Sequence, residues 1–138
     1  MKTWLLVLST CLISSLAYAD SLNIRVTGVQ HDEGQILVLL YQQQDFLKDQ
    51  GEVARQTVSL KEPGEVQLQF NDLDPGDYAF VVVHDENSNN EMDRKMGFIP
   101  KEGWAFSTNY KPRFGPPKFK KCRFSLQGTT EQQVTLIY

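Results

Sequence analysis

The sequence predicts an all-β fold, an antiparallel β-sandwich of about seven strands of the immunoglobulin-like or transthyretin-like kind. Three observations point there. Apolar and polar residues alternate in short runs, as half-buried strands require. Turn-forming residues separate the runs at sandwich-like spacing. The segment Leu73-Asp74-Pro75-Gly76-Asp77-Tyr78 reads as a tyrosine corner, in which Pro and Gly turn the chain and the Tyr hydroxyl bonds back to the backbone.

The elements follow in order. Met1 to Ala19 carry one positive charge at Lys2, an apolar run from Trp4 to Leu16, and small residues on either side of Tyr18. This is the pattern of a secretory signal cut before Asp20. The thirteen residues of that run are fewer than the roughly twenty that span a bilayer. Thr10 before Cys11 is a poor lipoprotein attachment context, and acylation there would halve the apolar run. The expectation is therefore one exported domain over residues 20–138, periplasmic or secreted, with no membrane span after processing.

In that domain Leu22-Ile24-Val26 is the first strand. His31 to Gly34 is read as the turn of a hairpin into Gln35 to Tyr41, and Gln42 to Lys48 as a helical turn. Val58-Leu60 and Val66-Leu68-Phe70 flank the turn Lys61-Glu62-Pro63-Gly64 and are read as a second hairpin. Tyr78 to Val83 is the most apolar strand. Phe119 to Leu126 is expected to be a strand with a bulge near Lys120-Lys121, because Phe119 is out of phase with Cys122, Phe124 and Leu126. Val134 to Tyr138 closes the fold. Cys122, the single cysteine left after processing, is expected to be buried.

The chemistry-bearing segment follows the central strand. Asp85, Asn87, Asn89 and Asp93 stand at places one, three, five and nine of a calcium loop, with Glu91 at place seven offering its carbonyl. Place six is Asn90 instead of Gly, and place twelve is Met96 instead of a bidentate Glu, so this is not an EF-hand. Glu86 and Glu102 are candidates to supply the missing carboxylate. With two carboxylates in the spacing, the affinity expected for calcium is on the order of 10⁻⁴ to 10⁻³ M. The competing reading is a metal-free loop in which Asp and Asn cap turns.

His84 is read as a strand-end residue that holds the loop, and with Trp104, Phe106 and Tyr110 it forms a candidate ligand-binding set. Gly97 to Ser107 is read as a covering segment, with Trp104 and Phe106 alternating as in a short strand; core packing of the Trp competes with ring stacking on a ligand.

At these residues a family resemblance emerges. The run His84-Asp85-Glu86-Asn87 through Asp93, then Gly97 to Ser107, Pro116 and Phe119, preceded by the Pro-Gly-x-Tyr turn, resembles the bacterial secreted family called domain of unknown function 2141. Ala105 stands where that family usually has Gly, and Lys121-Cys122 where it usually has an acid-Ala pair. The resemblance implies a single exported β-sandwich domain and supplies no activity.

Charge divides along the chain. Residues 20–102 hold seven basic and sixteen acidic groups, and residues 103–138 hold six basic and one acidic. Lys118, Lys120, Lys121 and Arg123 form a basic strip, read either as protection of an edge strand or as a docking face for an unknown partner protein or anionic envelope polysaccharide. The overall acidity argues against nucleic acid. Two histidines, no Gly-x-Ser-x-Gly elbow and no Cys-x-x-Cys pair leave no nucleophile, base and orienter together, so no catalysis is expected. The function expected is a non-catalytic binding or accessory domain with a weak calcium loop; the alternative is a structural interaction protein that docks through its basic strip.

Overall fold

Alternation along the first strand, β1 (Asp20–Val29), sets the architecture: Leu22, Ile24 and Val26 are buried on one side while Arg25 faces water. Each such side chain is worth about 1.5–3 kcal/mol of burial, enough to dictate which side faces the core. The computed structural model describes residues 19–97 and 99–138; the expected signal segment up to Tyr18, and Phe98, lie outside the described residues.

The other strands are β2 (Gln35–Tyr41), β3 (Ala54–Ser59), β4 (Gly64–Leu73), β5 (Gly76–Asp85), β6 (Arg94–Lys95), β7 (Ile99–Pro100), β8 (Trp104–Phe106), β9 (Phe124–Leu126) and β10 (Thr129–Thr135). One sheet has the order β10-β1-β4, and the second β3-β2-β5-β8 with β9 on the other half of β5; β6 and β7 form a separate ribbon. The all-β sandwich expected from the alternation is the fold observed. Six of the ten described strands have six or more residues, and β6 to β9 are short pieces of two or three.

Both hairpins read from the sequence are corrected. β1 pairs with β4 and, in parallel, with β10, whereas β2 pairs with β3 and β5. The connections β1–β2 and β3–β4 therefore cross between sheets. Residues 30–34 have the reach to do so, because five extended residues span about 16 Å and packed sheets lie about 10 Å apart. Ile24 and Ile36 then meet in one core that also takes Phe70, Phe80 and Leu126. The Tyr78 hydroxyl donates to the Asp74 carbonyl at 2.8 Å, which is the predicted corner.

A second apolar layer lies on the other face of the β2-β5-β8 sheet, where Leu37, Tyr41, Val81, Val83 and Phe106 pack with Phe119 and Cys122. The strand expected over Phe119 to Leu126 is replaced by the helical turn α1 (Phe119–Cys122) followed by β9. Phe119 and Cys122 are three residues apart, so one helical turn buries both on the same side without a bulge. The last strand likewise starts earlier than expected, at Thr129, and ends at Thr135; Ile137 bridges to Trp104 instead. The predicted helical turn at Gln42 to Lys48 is the 3-10 turn Gln43–Asp45.

Ser107 fastens the second layer to the sheet. Its fully buried hydroxyl donates to the Cys122 carbonyl at 2.6 Å and accepts the Phe80 N–H at 3.0 Å. Ser107→Ala leaves both backbone groups without a partner, so a loss of about 1–3 kcal/mol is expected in urea unfolding. A loss below about 0.5 kcal/mol would show that the Ser107 hydroxyl does not fasten α1 to the sheet.

Candidate functional site

The last two residues of β5 point to opposite faces of the sheet, as strand alternation requires. His84 lies opposite Ile36 and turns toward the inner core; Asp85 lies opposite Gln35 and turns outward. Both are fully buried.

Asp85 organises the loop behind it. Its Oδ1 accepts the Asn89 N–H at 3.0 Å, and its Oδ2 accepts the Asn90 N–H at 2.8 Å and the Gln35 amide at 2.7 Å. Asn87 Oδ1 accepts the Asn89 N–H at 3.2 Å, and Asn89 Oδ1 accepts the Glu91 N–H at 2.9 Å. These successive turns curl the chain, and Asn90 takes φ +62° at place six, where Gly is usual. The side-chain amides of Asn87 and Asn89 each donate to one oxygen of Asp93, at 2.6 and 3.0 Å. The structure thus brings Asp85, Asn87, Asn89 and Asp93 into one connected network. Glu91 is exposed, with its N–H on Asn89.

Glu102 enters this loop from outside the spacing. Its buried carboxylate accepts the Glu86 N–H through Oε1 and the Asp93 N–H through Oε2, both at 3.0 Å. Place twelve, Met96, is by contrast 82% exposed and offers no oxygen. The Glu102 carboxyl is raised above its ordinary value, first by burial and then by Asp93 and Asp85, with the two N–H donors opposing the rise.

His84 holds the other face. Its Nε2 lies 2.8 Å from the Glu33 carbonyl, which only accepts, so Nε2 carries the proton. Its Nδ1 takes the Tyr138 hydroxyl at 2.6 Å, and the same hydroxyl oxygen accepts the Gln30 N–H at 3.2 Å. Burial raises the Tyr138 pKa, which keeps that hydroxyl a donor. His31 stacks on His84 with ring centroids 4.6 Å apart, and its Nε2 lies 3.3 Å from Glu86 Oε1. Two glycines make the arrangement possible: a Cβ on Gly34, at φ +73°, would lie 2.1 Å from the Asp85 carbonyl oxygen, and one on Gly103 would lie 2.6 Å from the Tyr138 ring. His84 therefore holds the 30–34 segment and Tyr138, and sequence reasoning missed both His31 and Tyr138. Their partners lie about fifty residues away along the chain, and alternation carries no signal for that.

Of the predicted ligand set, Trp104, Phe106 and Tyr110 pack together on the outer layer, on the opposite side of β5 from His84. Trp104 is half-buried and meets the mostly buried Phe106 edge-on at 5.6 Å. Trp104 and Phe106, without Tyr110, border a groove of about 680 Å³ whose floor includes Leu39, Val81 and Val83 and whose walls include Met92, Ile99 and Pro116. The acidic loop, through Asn90 to Met92, is one wall of that groove. The basic edge strand is corrected: Lys118, Lys120, Lys121 and Arg123 are exposed around the helical turn α1 instead of along a strand, and Arg123 pairs with Asp77 at 3.4 Å. Burial pushes the Cys122 thiol up to about 11, which fits the expected buried small hydrophobe.

The raised Glu102 carboxyl has a definite pH signature. Between its unfolded and its higher folded value the folded chain holds the extra proton, so this group's contribution to stability is full below the window and shrinks as pH rises through it. The margin in Tm of the native chain over Glu102→Gln is therefore expected to narrow as pH rises from the acid side through the raised Glu102 value. A margin that widens would contradict the burial origin of the shift.

No curated protein and no solved structure matches the chain. A sequence profile does, over residues 24–135, which takes in both faces of the site and nearly every strand. The chain belongs to the family described as "Uncharacterized protein conserved in bacteria (DUF2141)".

Proposed function

We propose that this chain is an exported, non-catalytic binding module that takes its ligand in the groove on the outer face of the β2-β5-β8 sheet, with the acidic loop as a wall that takes up calcium weakly. The observation that carries the reading is the groove itself. Its floor is apolar, the half-buried ring of Trp104 lines it, and Asn90, Glu91 and Met92 of the loop border it. Binding sites combine such an apolar floor with a few placed polar groups.

The loop suits a hard cation because its donors are carboxylate and amide oxygens. An Asn oxygen that accepts one N–H keeps a second lone pair, so the turns of Asn87 and Asn89 are compatible with ligation. Calcium would be held by Asp85, Asn87, Asn89 and Asp93, with the Glu91 carbonyl and the Glu102 carboxylate as further oxygens. The absence of catalytic chemistry is supported by how the reactive groups are engaged: Ser107 and Cys122 are buried, and both nitrogens of His84 are occupied.

Trp104 and Trp4 are the chain's two tryptophans, so in the processed protein Trp104 alone reports on the groove. Titrating Ca²⁺ into chelator-treated protein is expected to give heat and a shift in Trp104 emission with Kd on the order of 10⁻⁴ to 10⁻³ M, lost in Asp93→Asn. Neither signal at millimolar Ca²⁺ would remove the ion from this reading. A dansylated hydrophobic probe is expected to bind the groove and to be weakened by Trp104→Ala; unchanged binding would remove the groove.

The second reading, docking of an anionic envelope polysaccharide, has the common exposure of Lys118, Lys120 and Lys121 around one helical turn in its favour. Reversing all three to Glu is expected to abolish retention on an anionic polysaccharide column, and retention that survives reversal would exclude this face.

A further inference from the structure

We infer that the inner-face cluster of His31, His84 and Glu86 is a site for a borderline divalent transition metal, zinc by its donor set, separate from the oxygen-lined loop on the other face of β5. A ligand atom from each of the three residues lies within 4.8 Å of the other two. Donors of a tetrahedral ion held at about 2.1 Å stand about 3.4 Å apart, and His31 Nε2 and Glu86 Oε1 are already at 3.3 Å. Two imidazoles and one carboxylate are borderline donors that suit zinc, whereas calcium takes oxygen ligands throughout.

The surroundings of His84 are organised as a metal-bound histidine requires. His84 gives its Nε2–H to the Glu33 carbonyl at 2.8 Å, which fixes the ring and leaves Nδ1 as the lone pair. A ligating histidine that donates its other N–H to a backbone carbonyl is the usual supporting arrangement. That Nδ1 now takes the Tyr138 hydroxyl, which already accepts the Gln30 N–H, so a side-chain rotation exchanges one hydrogen bond for a coordinate bond.

His31 Nδ1 is buried and has no hydrogen-bond partner, although its ring is held by stacking on His84 and by Glu86. The ligand atom of His31 in this arrangement is Nε2, the nitrogen that faces Glu86, and Nδ1 is the nitrogen turned away from the ion. Gly34 and Gly103, where a side chain would strike Asp85 or Tyr138, let the two segments close on the cluster. Three protein donors leave the fourth position of a tetrahedral ion for water or for the Tyr138 hydroxyl.

Zn²⁺ alone, titrated by calorimetry into chelator-treated full-length processed protein, is expected to bind at one equivalent. Co²⁺ in its place is expected to give the visible ligand-field bands of a tetrahedral nitrogen and oxygen site. His31→Ala and Glu86→Gln, both at partly exposed positions, are each expected to fold, as read by circular dichroism, and to weaken Zn²⁺ by about tenfold or more. Asp93→Asn is expected to leave Zn²⁺ unchanged, which separates this site from the calcium loop. Absence of Zn²⁺ binding, or binding unaffected by both His31→Ala and Glu86→Gln, overturns the assignment. So does binding lost in Asp93→Asn and kept in His31→Ala, since the ion then belongs to the loop.

Discussion

Strand β5 is buried on both faces and hydrogen-bonded on both edges, and the rest of the molecule is arranged around that constraint. Tyr78, Phe80 and Val82 fill the space between the two sheets, while Ala79, Val81 and Val83 carry the outer layer. Its edges are taken by β2 on one side and by β8 and β9 on the other. A strand so enclosed has no solvent face along which to slip. A one-residue shift would exchange the two layers and drive His84 and Asp85 into each other's surroundings.

Two unlike environments follow at the end of that strand. On the outer side Asp85 meets backbone N–H groups of its own loop, and carboxylate and amide oxygens collect there. On the inner side His84 meets a backbone carbonyl, a phenol and a second imidazole. Adjacent residues thus stand in opposite surroundings, one of oxygens and one rich in ring nitrogens, and the β-sheet between them keeps the two apart. Glu86 and Glu102 bind the two sides together, because the Glu86 N–H is held by Glu102 while its carboxylate reaches His31.

The outer layer explains why the groove persists. Phe119 and Cys122 on α1, with Phe46 packed against Phe119 at 5.6 Å, cover one end of the outer sheet face, and Ser107 ties α1 to β5. The rest of that face, around Val83 and Trp104, is walled by short ribbons and loops instead of a complete third layer. Apolar floor left open between such walls is the physical condition for a binding groove.

Alternation in the sequence determined the fold class, the buried strand at Tyr78 to Val83, the tyrosine corner and the curled loop at Asp85 to Asp93, because each rests on local rules of period two, turn chemistry and Asx capping. Tertiary structure alone decided the rest. Period two says which side of a strand is buried and not which strand lies beside it, so both supposed hairpins became crossings between sheets. Phe119 and Cys122 satisfy a helical turn as well as a bulged strand, and the space over Val81 selected the turn. The partners of His84 lie at Glu33, His31 and Tyr138, and their meeting depends on where the chain crosses between the sheets and on the bridge of Ile137 to Trp104, which no local pattern encodes.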